Sequence, residues 1–177
     1  MTGVRRIFRS SSTSNAEIRE LLESLFAAEL LSPSRCLWLV SPWLTDLDLL
    51  DNRAGAWSAL DPQWGPRQLR LAEVLGHLLG MGVHVVIATR PDAHNEQFLR
   101  KLADLVKSNG SECLLTVHRK ATLHHKGFLG DDFYLSGSMN LTFNGVEILD
   151  EGITFETDRE ATESARIAFL NDYGGAG

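Results

Sequence analysis

Two short segments of this chain combine residue types that suit phosphoryl chemistry. The first is Leu123-His124-His125-Lys126 and the second is Gly137-Ser138-Met139-Asn140. In an extended chain alternate side chains share a face, so His124 and Lys126 point one way and His125 the other. A neutral imidazole can attack phosphorus and form a covalent intermediate. A lysine beside it can neutralise the non-bridging oxygens as their charge grows. Ser138 and Asn140 share a face by the same rule and offer hydroxyl and amide donors to those oxygens, while Gly137 lets backbone approach a ligand closely. A lone His-x-Lys is common and a lone Gly-Ser-x-Asn is an ordinary turn. Their occurrence in order, around a short hairpin, is what carries information.

The elements that must position these residues are legible in outline. Ile18, Leu21, Leu22, Leu25 and Phe26 recur at helical spacing, predicting a helix over 15–30 opened by a capping-box pattern at Ser14-Asn15-Ala16-Glu17 and ended by Ser32-Pro33. Cys36 to Val40 and Val83 to Ala88 read as strands buried on both faces. Between them, Thr45–Pro66 is a long irregular stretch containing Trp57 and Trp64, and a helix from about Pro66 carries Leu69, Leu71, Leu75, Leu78 and Leu79 to Gly80. A helix over 94–107 and a strand over 112–118 follow. Strand–helix–strand–helix–strand implies parallel pairing with helices on the sheet faces. The second half changes character: Lys126–Leu129 and Asp132–Leu135 form two strands about a Gly130-Asp131 turn, Gly152–Phe155 forms another, and Thr157-Asp158-Arg159-Glu160 opens a last helix to about Asn171. Residues 1–14 read as an N-terminal extended segment, 15–173 as a single domain, and 174–177 as a flexible tail. No internal repeat is visible.

Composition bounds the function. The 177 residues are 44% hydrophobic, enough for one domain with a real core. The net charge of −6 argues against tight, indiscriminate binding to DNA or anionic membrane, though not against a local basic cleft. Cys36 and Cys113 sit in apolar runs and read as buried thiols in a reducing, cytoplasmic setting. No apolar stretch follows Arg5, Arg6 and Arg9 as a secretion signal requires, none approaches membrane-spanning length, and no stable membrane association is expected.

His124-x-Lys126-x4-Asp131, then Gly137-Ser138-x-Asn140, resembles the HKD motif of the phospholipase D superfamily. Asn140-Leu141-Thr142 and Glu151 continue the likeness, and Leu37–Trp43 and Gly82–Ile87 resemble the family's first two strands. Asp131 and Gly137 are separated by one residue fewer than is usual in the family, so Asp131 reads as a turn or scaffold residue. The resemblance implies an α/β phospholipase D-like sandwich: a mixed, largely parallel sheet with helices on both faces. It implies a phosphohistidine mechanism in which one histidine attacks phosphorus and a second protonates the leaving oxygen and then activates water. It further implies that Glu151 orients an imidazole, and that neither cofactor nor metal is required. The implied site is therefore His124, Lys126, Ser138, Asn140 and Glu151, with Lys126, Ser138 and Asn140 binding the substrate. Larger family members carry two motifs, whereas small bacterial nucleases of the family carry one and dimerise. One motif here implies a homodimer with a composite active site, and nucleic acid as the substrate. The opening Ile7–Asn15 resembles the DpdK group, phospholipase D-like proteins associated with deazapurine modification of DNA, which suggests a bacterial DNA-modification or defence setting. Two other readings remain open. One is a phospholipid hydrolase or transferase, with the Trp57/Trp64 loop as an apolar entry surface. The other is a non-catalytic subunit that binds nucleic acid or a partner.

The remaining histidines have structural readings. His84 belongs to the core, His77 and His94 to the surface, and His118 to the strand leading into the motif. Arg119 and Lys120 read as solvated charge or as local positive charge for the site.

Overall fold

The computed structural model describes residues 3–9 and 16–176. The Ser14 capping-box pattern lies outside the described residues, as does the 10–15 part of the stretch that resembles the DpdK group.

Strands β1 (Val4–Arg9), β2 (Cys36–Val40), β3 (Asp48–Asp51), β4 (Gln68–Arg70), β5 (His84–Thr89), β6 (Leu115–Arg119), β7 (Gly127–Leu129), β8 (Tyr134–Gly137) and β9 (Glu151–Glu156) are joined by helices α1 (Ala16–Leu31), α2 (Leu71–Gly80), α3 (Ala93–Asn109), α4 (Phe143–Glu147) and α5 (Arg159–Tyr173). Seven strands form one mixed sheet in the order β1-β9-β8-β7-β2-β5-β6. β2, β5 and β6 are parallel, and β7, β8, β9 and β1 continue the sheet antiparallel. Every residue of β2 is buried because both faces are covered. Leu37 and Leu39 pack into the cluster containing the apolar residues of α1, α2 and α3, while Cys36, Trp38 and Val40 meet Phe169 and Tyr173 of α5.

The structure departs from the sequence reading at identifiable places. β1 is the outer strand of the sheet, paired with β9 from Val4↔Glu156 to Arg9↔Glu151, so residues 4–9 belong to the folded unit. The helix expected from Pro66 begins at Leu71, because Gln68–Arg70 pair with Asp48–Asp51 instead. Glu73 accepts the Arg70 N–H at 3.0 Å and Asp46 the Ala72 N–H at 2.9 Å, satisfying donors that a helix start leaves open. Glu112–Leu114 is a 3-10 turn rather than strand, and Asp158, not Thr157, caps α5. The long stretch after Thr45 is built around the buried Asn52, whose amide donates to the carbonyls of Trp64 and Gly65 and accepts the Trp57 N–H. Trp64 is consequently part of the core and Trp57 is packed against it, so this loop offers no two-tryptophan entry surface for a lipid. The tail is not loose over 174–176: Trp38 Nε1 donates to the Gly174 carbonyl at 2.8 Å, and Ala176 packs beside Trp38 and Tyr173. Cys36 is buried, and its burial pushes the thiol up to about 11, but Cys113 is exposed rather than buried. Among the described residues no helix is long and apolar enough to cross a membrane.

Candidate active site

The register of the strands gathers the motif at one edge of the sheet. Val40 at the end of β2 pairs with Ala88 near the end of β5 and with Gly127 at the start of β7. Gly127 pairs with Ser136, and Gly137 with Ile153 near the start of β9. At this end lie Ser41, Arg90, Lys126 and Ser138, each next to the end of its strand, and Glu151, the first residue of β9. They share the carboxyl-terminal edge of the parallel strands, where open α/β sheets place their ligands.

Leu123–Lys126 runs into β7 as extended chain without ladder pairing. Its side chains alternate. His125 stacks on Phe169 with ring centres 5.3 Å apart and its Nε2 lies 3.2 Å from the Tyr134 hydroxyl. Partial burial against Phe169 holds the His125 imidazole below its ordinary pKa, although the residue as a whole is exposed. His124 faces the other side, and both histidines are exposed. Lys126 is half-buried, and its Nζ donates to the His124 carbonyl at 2.9 Å, which ties the ammonium to the histidine's own backbone. A small cleft lined by Val40, Lys126, Gly137, Met139, Leu141 and Ile153 takes in Lys126 and the Gly137 backbone, whereas His124, Ser138, Asn140 and Glu151 lie outside its lining.

Across that cleft, Met139 is buried and Ser138 and Asn140 flank it. The Ser138 hydroxyl donates to Glu151 and accepts the Gly152 N–H at 3.0 Å, while the Ser138 N–H donates to the Gly152 carbonyl at 3.0 Å. Gly137 makes this possible. Its φ is +146°, and an added Cβ would lie 2.1 Å from the Gly152 carbonyl oxygen, so no other residue fits. Asn140 Oδ1 is 3.4 Å from the Ser41 hydroxyl, which accepts the Leu141 N–H at 3.2 Å and donates to the Trp43 carbonyl at 2.7 Å. Glu151 is thus engaged by Ser138 within this chain, not by an imidazole.

The imidazole is held by a residue that the sequence reading did not single out. Arg90 follows β5. Its Nη2 lies 3.0 Å from His124 Nε2, its Nε donates to the Leu123 carbonyl at 2.8 Å, and its guanidinium sits 4.8 Å over the Trp43 ring. The available signal was positional: Arg90 stands at the carboxyl end of the most evident buried strand. Asp131 lies beyond Leu129, at the opposite end of β7 from the motif histidine. It accepts from Arg166 Nη1 at 2.7 Å and from the Arg35 N–H at 2.9 Å, joining β2, β7 and α5. Burial alone would raise its pKa, but these hydrogen bonds and the two guanidinium charges hold it below the usual carboxylate range.

The other basic and imidazole groups are engaged structurally. His118 Nε2 lies 2.6 Å from the Tyr173 carbonyl oxygen, Arg119 pairs with Glu96, and Lys120 donates to the Asp172 carbonyl and covers the Tyr173 ring. His77 is not simply superficial, since it lies 3.8 Å from Asp61 and against Trp64. His94 is exposed, 3.0 Å from the Thr45 hydroxyl. Among the described residues no group of three or more His, Cys, Asp or Glu side chains is placed to hold a metal ion.

No family model matches this chain, and no curated protein matches it. Solved structures do. Nuc from Salmonella typhimurium, described as a phospholipase D family member, aligns over 97% of this chain and 93% of its own, with a TM-score of 0.60 and 12% identity. This chain has the phospholipase D fold. NucT from Helicobacter pylori aligns over 98% of this chain and 100% of its own, at a TM-score of 0.58 and 17% identity. A phosphatidylserine synthase from Haemophilus influenzae shares the phospholipase D fold over 97% of this chain and 38% of its own, at a TM-score of 0.56 and 15% identity. The fold therefore accommodates differently named proteins, and the function must be argued from the site.

Proposed function

We propose that this chain is a phosphodiesterase that cleaves nucleic acid through a phosphohistidine intermediate on His124. The observation that carries the reading is the state of His124. A guanidinium N–H can only donate, so the Nε2 facing Arg90 must present its lone pair. In this contact the imidazole is the acceptor, and the exposed ring stands with Nε2 at the open edge of the sheet. In the first step this lone pair forms the N–P bond as the P–O bond to the leaving group breaks, and a second histidine gives that oxygen a proton. In the second step the second histidine takes a proton from water, the water oxygen bonds to phosphorus, and the N–P bond breaks. Lys126 and Asn140 neutralise and hold the non-bridging oxygens, and Ser138 with Glu151 shapes the opposite wall.

One chain carries one such histidine, so the reading requires a symmetric homodimer that brings two His124 side chains to one centre. Phe143, Ile148 and Leu149 support it: they are 57%, 59% and 49% exposed, and follow closely on the Asn140 segment. The single motif, as in the small bacterial nucleases of the family, favours nucleic acid over lipid as the substrate. The resemblance of residues 7–15 adds a bacterial DNA-modification or defence setting to the proposal.

Purified protein should cleave at least one of single-stranded DNA, duplex DNA or RNA and leave phosphatidylcholine vesicles intact. Cleavage should persist in EDTA, because the imidazole replaces a metal-bound hydroxide as nucleophile. Turnover of the lipid alone would reassign the substrate, and inactivity on all four would favour a binding subunit. Loss in EDTA restored by a divalent cation would overturn the mechanism. The composite centre has its own test, in which wild type and His124→Ala chains are mixed and allowed to exchange at fixed total protein. Activity should then fall as the square of the wild-type fraction, because a mixed dimer lacks either the nucleophile or the leaving-group acid. A linear fall after proven exchange would show that each chain works alone.

A further inference from the structure

We infer that Arg90 is a phosphate-responsive latch on His124: it holds the free imidazole as the Nδ1–H tautomer and moves onto the phosphate oxygens when a phosphodiester arrives. The inference rests on the reading of His124 as the nucleophile, and extends it to a residue outside the HKD pattern.

Three contacts fix the guanidinium. Nε is anchored on the Leu123 carbonyl, the plane rests over Trp43, and Nη2 reaches His124 Nε2. The first two contacts do not involve the imidazole, so the latch can let go of the ring without leaving the site. Among the described residues Nη1 has no hydrogen-bond partner, so part of the planar donor fork remains uncommitted. A fork of this shape binds two oxygens of a phosphate at once, and such charge-assisted bonds are stronger than one to a neutral imidazole. Arrival of the phosphate therefore draws Nη2 off the lone pair at the moment the lone pair is needed. Until then the pair is capped and the tautomer is set, because the donor on Nε2 leaves the ring proton on Nδ1. Lys126 does not fill this role, as its ammonium is turned onto the His124 carbonyl.

Two readouts on the full chain test the latch without turnover. Nitrogen–proton correlation spectra of labelled protein, at a pH where His124 is neutral, should show the Nδ1–H tautomer dominating in the wild type. That bias should be lost in Arg90→Ala and in Arg90→Lys. Calorimetric titration with inorganic phosphate should show binding weakened roughly ten- to a hundredfold in Arg90→Ala and less in Arg90→Lys, which keeps the charge but not the fork. Arg90→Lys serves as the folded control if the alanine variant unfolds. An unchanged tautomer ratio, or an unchanged phosphate affinity in a folded variant lacking the fork and charge, overturns the inference. The two readings fail separately. If His124→Ala stays active while both Arg90 effects appear, the latch stands and the nucleophile assignment falls. If His124→Ala is inactive and Arg90→Ala changes neither readout, only the latch falls.

Discussion

His124→Ala should lose activity by on the order of 10^4-fold or more while keeping its fold, because it removes the nucleophile and, in the dimer, the acid as well. His124 is exposed and its ring meets the Arg90 guanidinium at the sheet edge, so little packing is lost. His125→Ala should behave in the opposite way. That ring stacks on Phe169 and meets Tyr134, so its removal should lower the thermal midpoint and leave most of the turnover number intact. Steady-state kinetics with thermal unfolding of both variants check the pair. Equal loss of turnover in two well-folded variants would contradict the alternation on which the assignment depends.

Lys126→Ala should slow turnover on the order of 10^2- to 10^3-fold, the usual cost of removing one donor to a developing oxyanion. Lys126→Arg should recover little of it. The ammonium is compact and already hydrogen-bonded to the His124 carbonyl in a cleft floored by Val40, Met139 and Leu141. A guanidinium is broader, longer and planar, and cannot occupy that position with the same bonds. Measuring kcat and KM for both variants separates the possibilities. A near wild-type Lys126→Arg would mean that the position responds to charge alone, and that the narrow cleft does not set the geometry of the transition state.

The parts of the fold that were readable in sequence are those where one physical signal dominates. β2 and β5 are buried on both faces and stand out as apolar runs between turns. α3 carries Phe98, Leu99, Leu102 and Val106 to the core at helical spacing. Elements with a mixed signal were missed. Among the β1 residues whose burial is described, Ile7 alone is buried while Phe8 is exposed, so the apolar pattern is weak on a strand that has one neighbour. β3 and β4 are too short to show a period, and their pairing is long-range, which shifted the start of α2 by a turn. α4 is five residues long and announced only by its Thr142 cap. At the site, His124, Lys126, Ser138 and Asn140 could be proposed because they lie in two compact segments, and Glu151 only through the family resemblance. Arg90 was not, since its partner is 34 residues away and it takes the pairing of both β5 and β7 with β2 to bring the two segments together. Glu151's engagement with Ser138 likewise depends on the β8–β9 register.

The covalent intermediate on His124 is the central claim, and it can be trapped. Active enzyme is mixed with uniformly 32P-labelled single-stranded nucleic acid of whichever type it cleaves. The reaction is quenched with base within one turnover, because an N–P bond to imidazole survives alkali, and the protein is digested and mapped. The account predicts a labelled peptide that contains His124, with the label released by acid and absent in His124→Ala. Rapid cleavage with no label on the protein, or a label on a residue other than His124, would contradict it.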